Sequence, residues 1–445
     1  MRLSPLFRLF VLGLCLALIL VSLQGTAAAE DLELSIHGPG QKRVNIFLAP
    51  ASSLSEGNAT QVPSLASKLY SAVERNLDFM PFVRKIPADE ILGGEELEGV
   101  KAADIDFKRF RMGKVDYLLS FGFRQREDKR VQVELRVFRT RSAELFTGRG
   151  FVIDGAKQSL LAANRFCADF MEKLTGTAGF FRSRLAFVRI QGETKEIRTS
   201  TPQGDSQKTR VQGERHIISP AWSRDGDRIA YVRIGKDGHT LNVWNREEGT
   251  VRRRSLPGNT IISPAYHPDG RMAVSVDPEG NPDIYFLEGD KLGRAVVRNW
   301  AIDISPAFDS SGRWMSFVSS RLGNPHIFLK DLENDSVERI SFEGDYNTSA
   351  AISPSGQYIA YSRLTEDGHR IFLHNRLRDT TRQLTHGPGD DEDPAWGPDG
   401  YFLAFASNRS GKYRIYVGSR HGNGVKEVQT GAGQAKAPDW SPVLR

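Results

Sequence analysis

Cysteine is scarce in this sequence. Its 445 residues include two cysteines, Cys15 and Cys167. Cys15 lies inside an N-terminal apolar run and follows Leu14, where a lipoprotein signal would need a small residue. Without that run a single cysteine remains, so no intrachain disulfide can form. Small secreted domains use disulfides because their cores are small, whereas a chain of this length buries enough apolar surface without them.

Long apolar runs are equally scarce, and the chain contains one, from Phe10 to Leu23. Arg2 and Arg8 make the flanking segment positive, and small residues follow the run up to Glu30. These features predict a cleaved secretory signal peptide over residues 1–29, because a spanning helix needs about 20 apolar residues. No other segment is apolar enough to span a bilayer. We therefore expect a soluble mature protein in the periplasm.

A large excess of charge of one sign is also absent. The formal charge of +6 includes Arg2 and Arg8, and residues 1–29 contain no acid, so the mature chain carries about 6 − 2 = +4. The 60 lysines and arginines are interspersed with 54 acids. This composition predicts a solvated surface of mixed charge rather than a nucleic-acid site.

Motifs of catalysis are missing as well. The sequence has no Gly-x-Ser-x-Gly, His-Glu-x-x-His, phosphate-binding loop or Gly-x-Gly-x-x-Gly, each of which would imply a defined mechanism. The histidines show no metal-ligand spacing, and we expect turn or surface positions for His216, His267 and His326. The acidic run Asp390–Asp393 could hold calcium, although a solvated loop is the favoured interpretation. We therefore predict no enzyme, no cofactor and no metal.

What the sequence does contain is a repeated phrase. The copies combine a Pro-Ala pair, an aromatic residue and a closing Asp-Gly or Ser-Gly, and they begin 42 or 44 residues apart. They are Ser219–Gly226, Ser263–Gly270, Ser305–Gly312, Ser349–Gly356, Asp393–Gly400 and the truncated Ala437–Pro442. The glycines supply the positive φ of tight hairpins, and the proline is expected at the start of a strand. Because the copy at Ser349 lacks the proline and the aromatic, that strand is expected to sit differently.

Each copy precedes the same succession of short alternating strands, such as Ile229–Val232 and Leu241–Trp244. Four strands in roughly 40–45 residues form one blade of a β-propeller. Leu185–Val188 matches the first of these strands but has no phrase before it, and the spare phrase lies at the C-terminus. The sequence therefore predicts a six-bladed propeller over residues 177–445, closed by its C-terminal strand. Closure removes free sheet edges, and the aromatics are expected between blades.

Residues 30–176 follow a different pattern, in which strands and helices alternate. The predicted elements are the strands Val44–Leu48, Val115–Phe123 and Val131–Val137 and the helices Ser64–Phe79 and Leu160–Leu174. We predict a small N-terminal α/β domain, so that the whole is an α+β multidomain protein. The polar residues 30–42 are either a disordered stub or a segment that orders on binding.

Together these features resemble the TolB family of the Tol–Pal cell-envelope system. The resemblance covers the mature chain and is carried by the junction Glu172–Val188, the repeats and the ending Trp440–Leu444. It implies a monomeric, non-catalytic scaffold. The propeller would bind the lipoprotein Pal, and the N-terminal segment would bind the C-terminal domain of TolA, with other outer-membrane-associated proteins as further partners. The implied role is outer-membrane integrity and envelope constriction during cell division.

The candidate Pal site is the rim of the channel where each loop from an outer strand reaches the next inner strand. The resemblance places positions important for Pal at Thr260, Ser263 and Ile304. The predicted rim residues are His216, Asn259, Thr260, Ser263, Asp303, Ile304, Ser305, Tyr346, Asn347, Asp391, Glu392 and Lys436. The predicted TolA-binding segment is Glu30, Asp31, Leu32, Glu33, Leu34, Ser35 and Ile36. Charged loops on such a rim would steer a partner.

Two other classes of protein compete with the scaffold. A secreted enzyme or carbohydrate-binding propeller would hold a small ligand in its channel, and it would need a reactive constellation on the channel loops, where the sequence has scattered polar residues. A nucleic-acid binder is disfavoured mainly by the predicted export signal. The protein-binding scaffold is the favoured interpretation.

Overall fold

The computed structural model describes residues 43–444 apart from 56–60, 95–98, 215 and 237. The predicted signal peptide and the segment 30–42 lie outside the described residues. Within those residues, no helix combines the length and the apolar character needed to cross a membrane.

The first part of the chain is a five-stranded sheet with helices on both faces. The strands are β1 Val44–Ser53, β2 Val83–Lys85, β3 Tyr117–Gln125, β4 Val131–Arg139 and β5 Glu144–Ile153, and the helices are α1 Ser64–Asp78, α2 Phe107–Met112 and α3 Ala156–Thr175. Short 3-10 turns are Ala88–Glu90, Ala102–Asp104 and Phe180–Arg182. The sheet order is β2-β1-β3-β4-β5, with β1 parallel to both of its neighbours.

The continuous burial of β3 from Tyr117 to Phe123 reflects helices on both faces of the sheet. Phe121 contacts Tyr70 of α1, with ring centroids 5.3 Å apart. On the opposite face, Phe110 of α2 contacts Phe47, with centroids 5.4 Å apart. The predicted helices correspond to α1 and α3, and Gly176 ends α3 with a φ of 77°. Helix α2 was not predicted, because its six residues are too few to show a helical period.

The second part of the chain forms six four-stranded sheets, so the predicted six-bladed propeller is confirmed. We number the blades along the chain. In each blade the strands are given from the channel outward. Blade 1 consists of β29 Gln434–Trp440, β6 Leu185–Gln191, β7 Thr194–Ser200 and β8 Lys208–Glu214; blade 2 of β9 Ile217–Trp222, β10 Arg228–Gly235, β11 Gly238–Asn245 and β12 Val251–Arg254; and blade 3 of β13 Ile261–Tyr266, β14 Met272–Val276, β15 Asp283–Glu288 and β16 Lys291–Val297. Blade 4 consists of β17 Asp303–Phe308, β18 Trp314–Leu322, β19 Asn324–Asp331 and β20 Val337–Arg339; blade 5 of β21 Asn347–Ile352, β22 Tyr358–Thr365, β23 Gly368–Asn375 and β24 Thr380–Gln383; and blade 6 of β25 Asp391–Trp396, β26 Phe402–Ser407, β27 Arg414–Ser419 and β28 Lys426–Glu427.

The C-terminal strand closes the ring, as the spare phrase predicts. Strand β29 pairs antiparallel with β6, with Trp440 opposite Leu185. The indole Nε1 of Trp440 donates to Ser183 Oγ at 2.6 Å. Closure therefore joins the two ends of the propeller through a backbone ladder and a buried hydrogen bond.

Each inner strand carries a β-bulge at the first residue of the repeated phrase. These residues have φ between 49° and 58°, and the register with the second strand shifts beside them. They are Ser219, Ser263, Ser305, Ser349, Asp393 and Ala437. The prediction that proline begins the strand is wrong, because Pro220 is the fourth residue of β9. A bulge interrupts the ladder, so a proline is tolerated there in mid-strand.

The copy without proline forms the same bulge, contrary to expectation. Ser349 has a φ of 53°, and the pairing shifts between Thr348 and Ala351. Ile352 is buried, as are the aromatics at the matching positions of the other blades. The left-handed residue, rather than the proline, is the feature that all six inner strands share.

The α/β domain packs against the turns of blades 1 and 6. Phe180 is fully buried, with its ring centroid 5.9 Å from that of Phe79 in the first domain and 4.4 Å from that of Phe402 in blade 6. At the edge of the contact, Arg75 Nη2 lies 2.5 Å from Asp205 Oδ2 in blade 1. The two parts of the chain therefore share a continuous aromatic core at this junction.

Candidate protein-binding rim

The two ends of the channel differ because antiparallel strands place different turns there. One end carries the starts of the inner strands and the turns between second and third strands, and we call it the rim face. The other end carries the turns after the inner strands and those before the outer strands, and we call it the covered face. The α/β domain contacts the covered face, where Tyr401 of blade 6 packs on Phe82.

The twelve predicted rim residues all lie at the starts of inner strands, but they differ in exposure. The exposed side chains are His216, Asn259 and Tyr346, the half-buried ones are Thr260, Ser263, Ile304, Ser305, Glu392 and Lys436, and the buried ones are Asp303, Asn347 and Asp391. The three buried residues present no side chain to a partner. Whether the remaining residues contact Pal stays a prediction.

Each buried member of the predicted rim is held by an arginine of the same blade, which lies on the second strand for Asp303 and Asn347 and in the turn after the second strand for Asp391. The pairs are Asp303 with Arg321 at 3.1 Å, Asn347 with Arg363 at 3.0 Å and Asp391 with Arg409 at 2.7 Å. Burial raises the pKa of the Asp303 carboxyl, against the opposing effects of Ser319 and Arg321. These pairs fix the starts of the inner strands and so position the exposed residues beside them.

The acidic run of blade 6 is not the solvated loop that was expected. Asp391–Trp396 is a strand, and its carboxylates diverge toward different partners. Asp390 accepts a hydrogen bond from the backbone N–H of His369 at 2.9 Å, which lowers its pKa. Asp393 accepts from Ser349 Oγ at 3.1 Å, and burial raises its pKa. Among the residues that the structure describes, no three histidine, cysteine or acidic side chains could hold a metal ion.

A cation bridges blades 6 and 1 on the rim side of the channel. Lys436 Nζ lies 3.1 Å from Glu392 Oε2 and 3.6 Å from the ring centroid of Tyr413. Burial and the neighbouring Glu392 raise the pKa of the Tyr413 hydroxyl. Lys436 and Glu392 therefore neutralise each other, and neither is a free charge on the rim.

His267 and His326 are both buried. His267 begins a turn, as expected, whereas His326 lies within strand β19, contrary to the turn or surface position expected for it. His267 Nε2 lies 2.9 Å from the Gly312 carbonyl, which joins blade 3 to blade 4. His326 lies against Arg339 and Asn347, and its pKa is lowered by burial first and by Arg339 second. His216 is exposed, as expected. Both buried histidines are packing residues between blades.

Sequence reasoning placed Tyr346 on the rim but missed five other exposed apolar side chains on the rim face of blades 4 and 5. We call Trp300, Ile302, Leu322, Phe342, Tyr346 and Leu364 the apolar rim patch. Trp300 is 78% exposed and Phe342 is 70% exposed. Within blade 4 the Ser320 N–H donates to the Ile302 carbonyl, and within blade 5 the Leu364 N–H donates to the Tyr346 carbonyl. The sequence did hold an indication of this patch, because Trp300 and Phe342 lie outside any strand pattern.

The covered end of the channel has a different character. A cavity of about 230 Å³ is lined by the Pro-Ala-aromatic residues of the repeats and by Arg224. Arg224 Nη2 reaches from blade 2 to blade 4 and donates to the Phe308 carbonyl at 3.0 Å. Nearby, burial raises the pKa of the Asp439 carboxyl to about 6. The repeated phrase therefore packs around this end, while its bulges face the rim end.

This geometry defines a two-domain protein whose six-bladed β-propeller is covered on one face by an α/β domain and shows exposed apolar side chains on the other. A family model described as the TolB beta propeller domain matches residues 171–444, and a curated relative agrees with that match. The chain therefore belongs to the TolB family. It is 40% identical to the "Tol-Pal system protein TolB" of Nitratidesulfovibrio vulgaris over 314 residues, which is 69% of this chain and 70% of that protein.

Other comparisons agree in fold. The "Protein TolB homolog" of Chlorobium luteolum is 32% identical over 211 residues, 46% of this chain and 47% of that protein. The crystal structure of TolB from Acinetobacter baumannii superposes with a TM-score of 0.76 at 20% identity and covers 90% of this chain and 97% of that one. At that identity the likeness shows the two-domain fold alone.

Proposed function

We propose that this chain is a non-catalytic, periplasmic component of the Tol–Pal system. Its propeller rim binds Pal, and residues 30–36 bind the C-terminal domain of TolA, in support of outer-membrane integrity and constriction during division. In this proposal the mature protein is a monomer with an N-terminal domain over residues 30–176 and a propeller over residues 177–445. Family membership supports the system, and the apolar rim patch supports the place of binding.

The apolar rim patch is the observation that carries the rim proposal. Groups of large exposed apolar side chains are uncommon on soluble proteins and mark interaction sites. Trp and Tyr are enriched among residues that dominate binding energy, and the patch contains Trp300 and Tyr346. The half-buried Ile304, which resemblance placed at the Pal site, lies two residues after Ile302. The patch is thus adjacent in sequence to the predicted contacts.

The test is calorimetric titration of the mature protein with the periplasmic domain of Pal from the same organism. We expect Trp300→Ala and Phe342→Ala to weaken binding by roughly tenfold or more each, and Thr260→Arg to weaken it by a clash. The matched control is Leu377→Ala, because Leu377 is 79% exposed in blade 5 but lies on the covered face. Equal affinity in all variants would remove the site from this rim, and no binding by wild type would contradict the Pal proposal.

A second titration tests the proposed binding of TolA by residues 30–36. Deleting residues 30–36 should abolish binding of the TolA C-terminal domain and leave Pal binding unchanged at the concentrations used. TolA binding that survives the deletion would contradict the assignment of this segment.

A further inference from the structure

A cluster of cations on the covered face has no role in the proposed function. We call Lys157, Arg184, Lys208, Arg210 and Arg246 the basic cluster. Lys157 lies in the first turn of α3, Arg184 immediately precedes β6, Lys208 and Arg210 lie in β8, and Arg246 follows β11. The α/β domain and blades 1 and 2 thus all contribute to it.

The two arginines at its centre are half-buried without a carboxylate partner. Arg184 Nη2 donates to the Ser206 carbonyl at 2.5 Å, while its buried Nε has no hydrogen-bond partner among the described residues. Arg210 Nε donates to Thr199 Oγ1 at 3.0 Å, and its guanidinium lies 4.8 Å from the ring centroid of Trp244. Both guanidinium groups are therefore held in place by neutral groups, which leave their charge intact.

Neutralising acids are few around the cluster. In the described part of the chain, the one carboxylate within ion-pair distance of its five members is Asp227, at 3.9 Å from Arg246 Nη1. That pair is long and solvent-exposed, so it offsets little of the charge. Asp205 and Asp225, which are close in sequence, pair instead with Arg75 and Arg228.

The cations consequently repel each other. The pKa of Lys208 is lowered, first by Arg210 and then by burial and the other cations. Burial, followed by Arg210 and Arg246, lowers the pKa of Arg184 to about 10. Like charges held together without counter-charges disfavour one another's charged forms. A bound anion would offset this repulsion between the cations. Fixed guanidinium forks beside ammonium groups match the oxygens of phosphate.

We infer that the basic cluster, formed by residues of the α/β domain and of blades 1 and 2, is a binding site for a phosphate-type oxyanion. A compact group of several negative charges fits better than an extended polyanion, because the cations come from four separate segments and the cluster's two central arginines are both held beside the β7–β8 hairpin. The phosphate could be a free phosphate compound or the headgroup of a lipid. The cluster lies on the face of the propeller opposite to the proposed Pal-binding rim.

The first experiment is calorimetry of the mature protein with pyrophosphate at constant ionic strength. We expect saturable binding and a rise in melting temperature, because a ligand of the folded state stabilises it. The double variant Lys208→Gln/Arg246→Gln should weaken binding by roughly tenfold or more. Both side chains are exposed, so the variant is expected to fold. The control is Arg253→Gln/Lys291→Gln, which removes the same charge from exposed positions of outer strands in blades 2 and 3.

Two further arms separate the chemical classes. Flotation with phosphatidylcholine vesicles containing phosphatidic acid identifies a lipid headgroup if binding is lost in the cluster variant but kept in the control. Binding of pyrophosphate without vesicle binding identifies a free phosphate compound, and both outcomes support the site. Equal weakening in the cluster and control variants, equal binding of the polycarboxylate tricarballylate, or no binding of either phosphate probe would overturn the inference.

Discussion

The two faces of the propeller are built from the same repeated blade and yet present opposite surfaces. On the covered face, aromatic side chains such as Phe180 are buried against the α/β domain. On the rim face, Trp300 and Phe342 are exposed. The turns after the inner strands belong to the repeated phrase, whereas the loops before those strands lie outside it and differ from blade to blade. A repeat therefore fixes the scaffold, and the unrepeated loops are free to carry binding residues.

Replacing one phenylalanine on each face by alanine should give the largest difference in stability between the two faces. Phe180→Ala should lower the free energy of unfolding by about 4 kcal/mol, because it leaves a cavity among packed rings. Phe342→Ala should change it by about 0.5 kcal/mol or less, because the side chain is already solvated. Urea denaturation of the two variants checks this. Similar losses of stability would show that the faces do not differ as described.

A second prediction concerns the buried carboxyl near the covered end of the channel. Burial raises the pKa of Asp439 from 3.8 to about 6. Between these values the folded protein keeps a proton that the unfolded chain has lost, so stability falls as pH rises through the window. Asp439→Asn should remove this dependence, which amounts to at most about 3 kcal/mol.

The measurement is the free energy of unfolding of wild type and Asp439→Asn between about pH 4 and pH 7. The free energy of unfolding of the variant should increase relative to that of wild type as pH rises. The asparagine amide in the variant retains an oxygen that can accept the hydrogen bond from the Trp222 N–H, which is 2.5 Å long in the wild type. A difference that stays constant across this range would contradict the raised pKa.

The smallest expected effect tests the bulge that all six blades share. Ser219 has a φ of 51°, a conformation that glycine adopts without strain and that a β-branched residue strongly resists. Ser219→Gly should change the free energy of unfolding by about 1 kcal/mol or less, and Ser219→Val should lower it by about 2 kcal/mol. Thermal or urea unfolding of both variants measures the difference. Equal stabilities would mean that the backbone conformation there is easily changed.

The site was less predictable than the fold, and individual residues show why. The starts of the inner strands followed from the repeat, and His216, Asn259 and Tyr346 are exposed there. Asp303 and Asp391 look like surface acids in the sequence, yet Arg321 and Arg409 bury them through ion pairs. Those arginines lie 18 residues further along, Arg321 in the next strand and Arg409 in the turn after it, and contacts at that separation are invisible to a local pattern.

The sequence by itself determined the six blades and their closure, because strand alternation, turn glycines and a fixed spacing are local properties that repeat. It also determined the α/β character of the first domain through the periodicity of α1 and α3. Only the tertiary structure decided that prolines sit at bulges, that the acids of blade 6 diverge, and that Trp300 and Phe342 share a face. The tertiary structure alone brought the residues of the basic cluster together. Those features depend on contacts between distant segments, whose positions are fixed when the blades pack around the channel.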